Sequence, residues 1–132
     1  MKRNLSFVTI VASAVVCVLL GACAQVAPPV STPKGYVIAE IAVNDAVMYR
    51  EYVAAVTPLI AKSGGVYLVR GGNAVAKEGT TAKGRIVVIE FPSVVAANTF
   101  YDSAEYQAII GLRLKSATSR VLQVEGAAAP AR

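Results

Sequence analysis

Four β-rich runs carry apolar side chains on both of their faces, and that pattern limits the fold more than any other feature. They are Tyr36–Val43, Gly65–Arg70, Arg85–Phe91 and Ser119–Glu125. Alternate residues of a strand point to opposite faces of a sheet, so parity divides each run into two sets. One set holds Val37, Ala39, Ile41 and Val43, then Tyr67 and Val69, Val87, Ile89 and Phe91, and Leu122 and Val124. It is wholly apolar and is expected to meet helices. The other set holds Tyr36, Ile38 and Glu40; Val66, Leu68 and Arg70; Ile86, Val88 and Glu90; and Val121, Gln123 and Glu125. That face is still largely apolar, and a lone domain would not leave it in water. A second copy of the same sheet is the simplest cover, which predicts a homodimer. Two sheets packed face to face form a barrel-like core, with interface clefts where Glu40, Glu90 and Arg70 meet Tyr36.

The segments between the runs read as helices. Asn44 or Asp45 supplies an N-cap, and Tyr49, Tyr52, Val53, Val56, Leu59 and Ile60 recur at three- and four-residue steps before Gly64-Gly65 stops the helix. Pro58 removes a backbone donor and predicts a bend near Val53–Ala54, or a tightening of the helix there. Gly71 to Gly84 is a polar, Gly-punctuated excursion or hairpin. Pro92-Ser93 opens a helix to about Tyr101, and Asp102-Ser103 restarts a second piece through Ile110 or further. The order is βαββαβ, with a faint repeat between its two βαβ halves. This predicts an α+β ferredoxin-like plait: a four-stranded antiparallel sheet with its helices on one face.

The first residues read as an address label. Lys2 and Arg3 precede an apolar run from Leu5 to Leu20, and Leu20-Gly21-Ala22-Cys23 has the form of a bacterial lipobox. Residues 1–22 are therefore expected to be a lipoprotein signal peptide, with the mature chain beginning at an acylated Cys23. Several acyl chains, at about 0.8 kcal/mol per CH₂, make a stable anchor. The alternative is an uncleaved transmembrane helix, but the run falls short of the ~20 residues a bilayer needs and contains Ser6, Thr9 and Ser13. Residues 23–33 then form the lipidated Cys and a Pro-containing flexible linker, residues 34–126 the folded domain, and residues 127–132 a frayed tail. Ala24 after Cys23, rather than Asp, resembles the sorting pattern of enteric bacteria that implies the periplasmic face of the outer membrane.

Processing removes both cysteines from the pool of free thiols, and the sequence has no histidine. That excludes the common zinc and copper sites, a proximal haem His and the Ser-His-Asp triad. No EF-hand spacing or phosphate-cradling Gly motif is present, so no metal and no cofactor is expected. Loss of Lys2 and Arg3 takes the formal charge from +5 to +3, too mild to imply nucleic acid. Chemistry would have to run on Asp, Glu, Arg, Lys, Tyr and backbone.

Gly35-Tyr36, Tyr49, Tyr52, Gly64-Gly65, Arg70-Gly71-Gly72, Glu78-Gly79, Arg85, Glu90-Phe91-Pro92-Ser93, Tyr101, Ser103, Tyr106, Arg113 and Gly126 together resemble domain of unknown function 1330. The resemblance spans Lys34 to Gly126. It implies a dimeric α/β barrel, a superfamily that includes cofactor-free monooxygenases, isomerases, haem-dependent peroxidases and plain binding proteins, so it does not select an activity. The leader departs from that family's usual form, as do Ala104, Thr57 and Gly111, which stand where Pro is common.

Two groups of candidate residues follow. Glu40 and Glu90 lie at similar depth on runs expected to be neighbours; close and shielded, one would serve as a general acid or base. The competing reading pairs each with a cation for assembly alone. Arg70 or Arg85 would hold an anionic group, with Tyr36 or Tyr106 as donor, and Tyr106 with Arg113 at the mouth of a pocket would bind a small carboxylate. Three functions remain open: a lipid-anchored dimer binding a small anionic or aromatic ligand at its interface, a cofactor-independent enzyme using Glu, Tyr and Arg, and a structural module of the cell envelope.

Overall fold

The computed structural model describes residues 32–72 and 74–128. The leader, Cys23, most of the linker and the end of the tail lie outside the described residues. Seven elements follow in the order β1 (Gly35–Val43), α1 (Ala46–Lys62), β2 (Val66–Gly72), β3 (Arg85–Phe91), α2 (Val94–Asp102), α3 (Ala104–Ser116) and β4 (Ala117–Glu125). The strands form one sheet in the order β2-β3-β1-β4, with every neighbouring pair antiparallel. This is the ferredoxin-like plait, with the second helical segment divided into α2 and α3.

Local chemistry sets the ends of the elements. Asp45 caps α1, its carboxylate accepting from the backbone N–H of Val47 at 2.9 Å and of Met48 at 3.0 Å. Gly64, at φ 73°, ends the helix, and the N–H of Gly65 returns to the Ile60 carbonyl at 2.8 Å. α1 runs unbroken through Pro58, where the neighbouring Thr57 hydroxyl donates to the Val53 carbonyl. Ser93 caps α2, and Ser103 caps α3 through the N–H of Tyr106. No loop separates α3 from β4. Ser116 is fully buried, and its carbonyl accepts from both Asn44 and Asp45, tying the end of α3 to the start of α1.

The register resolves each face of the sheet into rows. Under the helices lie Tyr67-Ile89-Val37-Gln123, then Arg70-Val87-Ala39-Val121, then Arg85-Ile41-Ser119. On the open face a central apolar row, Val69-Val88-Ile38-Leu122, crosses all four strands. Val66-Glu90-Tyr36-Val124 flanks it on one side and Gly72-Ile86-Glu40-Arg120 on the other.

Two parity assignments are corrected by these rows. A bulge between Tyr67 and Val69 adds one residue to β2, so Val69 pairs with Val88 on the open face and Arg70 moves beneath the helices. On β4, Val121 rather than Leu122 and Val124 faces the core, because the direct join to α3 buries Ala117 and fixes the alternation from there. The core is completed by Tyr49, Tyr52, Val56 and Ile60 of α1, Phe100 of α2 and Tyr106 of α3, with Phe91 fully buried beneath them.

Candidate functional site

Between the sheet and the helices the core does not close. A cavity remains there with about 50 Å³ open to the centre of a water molecule. Its walls come from β1, β2, β3, β4, α1, α2 and α3, and most of them are apolar, including Val37, Ala39, Ile41, Val56, Val87 and Phe100. Its polar groups are tyrosines and arginines: Tyr49, Tyr52, Tyr67, Tyr101, Tyr106, Arg70, Arg85 and Arg113. Among the described residues no carboxylate lines it.

Arg113 is the most unusual of these groups. It is only 3% exposed, on the inner face of α3. One terminal nitrogen donates to the Ser119 hydroxyl, while its Nε–H meets no acceptor among the described residues. Burial works against its charge, but the oxygens of Tyr106, Tyr52 and Tyr101 favour it, and its pKa lies above the ordinary value. A buried cation without a carboxylate is costly unless something else compensates it.

Arg85 repeats the theme from the sheet. Its buried Nε–H also lacks an acceptor among the described residues, one terminal nitrogen reaches the Arg70 carbonyl at 3.4 Å, and its guanidinium sits 5.6 Å from the centre of the Tyr49 ring. Arg70 is more exposed and is already engaged: it donates to the Thr57 hydroxyl at 2.8 Å and lies 4.5 Å over the Tyr67 ring. Burial pushes the Tyr49 hydroxyl above its ordinary value, and the positive charges of Arg85, Arg113 and Arg70 pull the other way. The three guanidiniums therefore make a common positive field at Tyr49.

On the α side, the Tyr52 and Tyr106 hydroxyls lie 3.3 Å apart. Burial, then the Tyr106 oxygen, push the Tyr52 pKa up, so this phenol stays protonated and able to donate at neutral pH. The Tyr106 ring is held by Phe100 and Tyr101, at centroid distances of 4.8 and 5.1 Å.

Of the residues singled out by sequence, Arg70, Arg85, Tyr106 and Arg113 converge on this cavity. The carboxylates do not. Glu40 stands opposite Ile86 and Glu90 opposite Tyr36, four positions apart along β1 and on the open face. Glu90 accepts from the Tyr36 hydroxyl at 3.1 Å and lies 3.7 Å from the Lys34 ammonium, while Glu40 accepts from the backbone N–H of Lys83. They are neither paired with each other nor near the cavity: Tyr36 and Glu90 form one pair on the open face, and Glu40 stands apart from it across the central apolar row. Four of the candidate residues thus line a cavity between the sheet and the helices of the chain itself. Tyr49 and Tyr52 carry no mark of such a role in the sequence, because a tyrosine on an inward helical stripe is indistinguishable there from ordinary core, and Ser119 is reached only through the fold.

A wider groove lies on the open face beneath the β2–β3 connection, between Glu40, Val75, Lys83 and Arg120. Nothing there leaves a buried side-chain nitrogen or oxygen unpartnered. Among the described residues no group of three or more His, Cys, Asp or Glu could hold a metal ion, and no helix is long and apolar enough to cross a membrane.

The fold has relatives among solved structures. A protein of unknown function from Rhodopseudomonas palustris, a structural genomics target, matches with TM-score 0.60 and 16% identity over 75% of this chain and 86% of its own. Its methylated form gives the same TM-score and identity over 75% and 84%. A dimeric ferredoxin-like protein of unknown function from Thermobifida fusca matches with TM-score 0.49 and 13% identity, over 73% and 93%. At such identities the likeness is one of fold. No curated protein matches the chain. The family described as Domain of unknown function (DUF1330) matches residues 34–127, the whole plait with its flanking residues, and the chain belongs to that family.

Proposed function

We propose that the chain binds a small organic anion in the cavity between the sheet and the helices of each protomer. The observation that carries this reading is Arg113: a cation buried in an apolar wall, with a free Nε–H and no carboxylate beside it. Arg85 adds a second unpartnered Nε–H, and Tyr52 and Tyr106 add hydroxyls that can donate. An anion there would gain charge-assisted hydrogen bonds in a site of low dielectric.

The test is thermal unfolding of the full chain in detergent, with carboxylate salts against chloride at matched ionic strength. Bound anion raises the melting temperature by mass action. Arg113→Met keeps an unbranched apolar stem and removes a buried charge, so it is expected to fold and to lose the response. If no carboxylate raises the melting temperature above chloride, the reading fails.

Two further features belong to the same proposal. The protein is a homodimer through the open face, whose apolar row Val69-Val88-Ile38-Leu122 would otherwise meet water. It is also tethered to the periplasmic face of the outer membrane through acylated Cys23, a reading supported by Leu20-Gly21-Ala22-Cys23 behind an apolar run. Cys23→Ser is expected to abolish incorporation of labelled palmitate and to release the chain from the membrane fraction; retained label would overturn the anchor.

A further inference from the structure

The two guanidiniums with an open Nε–H stand at opposite sides of the cavity. Arg85 leans from β3 toward β2, where one terminal nitrogen reaches the Arg70 carbonyl at 3.4 Å, and a Cβ on Gly71 would come within 2.5 Å of that nitrogen. A glycine there, at φ 78°, leaves the head of Arg85 its seat. Arg113 descends from α3 onto the Ser119 hydroxyl of β4. Ile41 pairs with both Arg85 and Ser119, so the two lie at one depth in the sheet. In the order β2-β3-β1-β4 the two seats are three strand spacings apart, about 14 Å. No single carboxylate reaches both.

The cavity runs across that same width. Tyr67 of β2, Val87 of β3, Ala39 of β1 and Val121 of β4 all line it, together with both arginines. Between the cations its floor is apolar. Each end has tyrosines of its own: the Tyr49 ring lies 5.6 Å from the Arg85 guanidinium, and the oxygens of Tyr106 and Tyr52 act on Arg113. Arg70 is held elsewhere, by Thr57 and Tyr67. A single negative group would satisfy one end and leave the other cation with an unpartnered N–H, a costly arrangement away from water. Charge balance therefore calls for one negative group at each end. Phosphate and sulfate hold their charge at one centre and cannot supply it.

We infer that the cavity takes a dicarboxylate, one carboxylate on the Nε–H of Arg85, the other on that of Arg113, and an apolar spacer between them over Ala39 and Val87. This rests on the anion-binding reading above and adds the ligand's class to it.

Calorimetric titration of the full chain in detergent, at matched ionic strength, compares succinate, glutarate, adipate and suberate with the monocarboxylates of equal carbon number, butyrate, pentanoate, hexanoate and octanoate. At least one dicarboxylate is expected to bind once per chain and about tenfold or more tighter than its monocarboxylate, the worth of one further charge-assisted hydrogen bond. Arg85→Gln and Arg113→Met each remove one end and are each expected to abolish that preference. The wild-type comparison decides even where a variant fails to fold. If no dicarboxylate binds tighter than its monocarboxylate, the two-ended site is overturned while an anion site stands. A preference that survives either substitution also overturns it. Binding by none of these acids would overturn both this inference and the reading beneath it.

Discussion

The hydroxyls of Tyr52 and Tyr106 meet 3.3 Å apart in the core, joining the middle of α1 to the first turn of α3. Removing one hydroxyl leaves the other buried without its partner, so Tyr52→Phe or Tyr106→Phe is expected to cost about 1–2 kcal/mol. The double variant should cost less than the sum of the two, because it leaves no orphan. Urea unfolding of all four proteins measures the coupling.

The same pair sets a limit at alkaline pH. Burial raises the Tyr52 pKa above its ordinary value of 10.0, so the native state holds this proton more tightly than the unfolded chain does. The resulting stabilisation is complete below about pH 10 and is lost as pH rises above that toward the native value. Across that window stability should fall by up to about 1.4 kcal/mol per pH unit for this group. Tyr52→Phe should flatten the slope. Denaturant midpoints taken on both sides of pH 10 decide the matter.

Leu122 is 42% exposed and ends the apolar row of the open face. A charge there has water to face in a monomer but not against a second sheet. Leu122→Glu is expected to give a folded monomer, and the wild-type domain to sediment as a dimer. Sedimentation velocity together with circular dichroism reads both properties, and a dimer that survives the substitution would move the contact elsewhere.

Gly84 enters β3 at φ 135°, and a Cβ there would collide with the Ile41 carbonyl oxygen. Gly84→Ala therefore suffers both an unfavourable backbone region and a clash with the central strand. A loss of about 2 kcal/mol or more is expected, visible as a lower urea midpoint with little change in slope.

Much of the fold was legible in the residues because the signals were local. Asp45, Ser93 and Ser103 mark helix starts, Gly64-Gly65 marks a stop, and the alternation of Val37, Ala39 and Ile41 marks the buried side of β1. The failures came where hydrophobicity carried no directional information. β4 has apolar residues on both parities, and its phase is set by the loopless join at Ser116–Ala117 rather than by its own composition. Arg70 changed sides through a single extra residue in β2 that no side chain announces. The candidate site was half legible for the same reason. Arginines among apolar runs stand out, whereas Tyr49 and Tyr52 look like core until the charges around them are seen.

The neighbours of β1 have one more consequence. The first strand of the plait is completed on one side by β3 and on the other only by β4, the last of the described elements in chain order. Until a ribosome has released residues 117–125, the centre of the sheet has a bare edge and the core lacks a wall. Such long-range closure delays folding until β4 is available. A truncation before Ala117 should therefore yield protease-sensitive chains rather than a smaller stable domain.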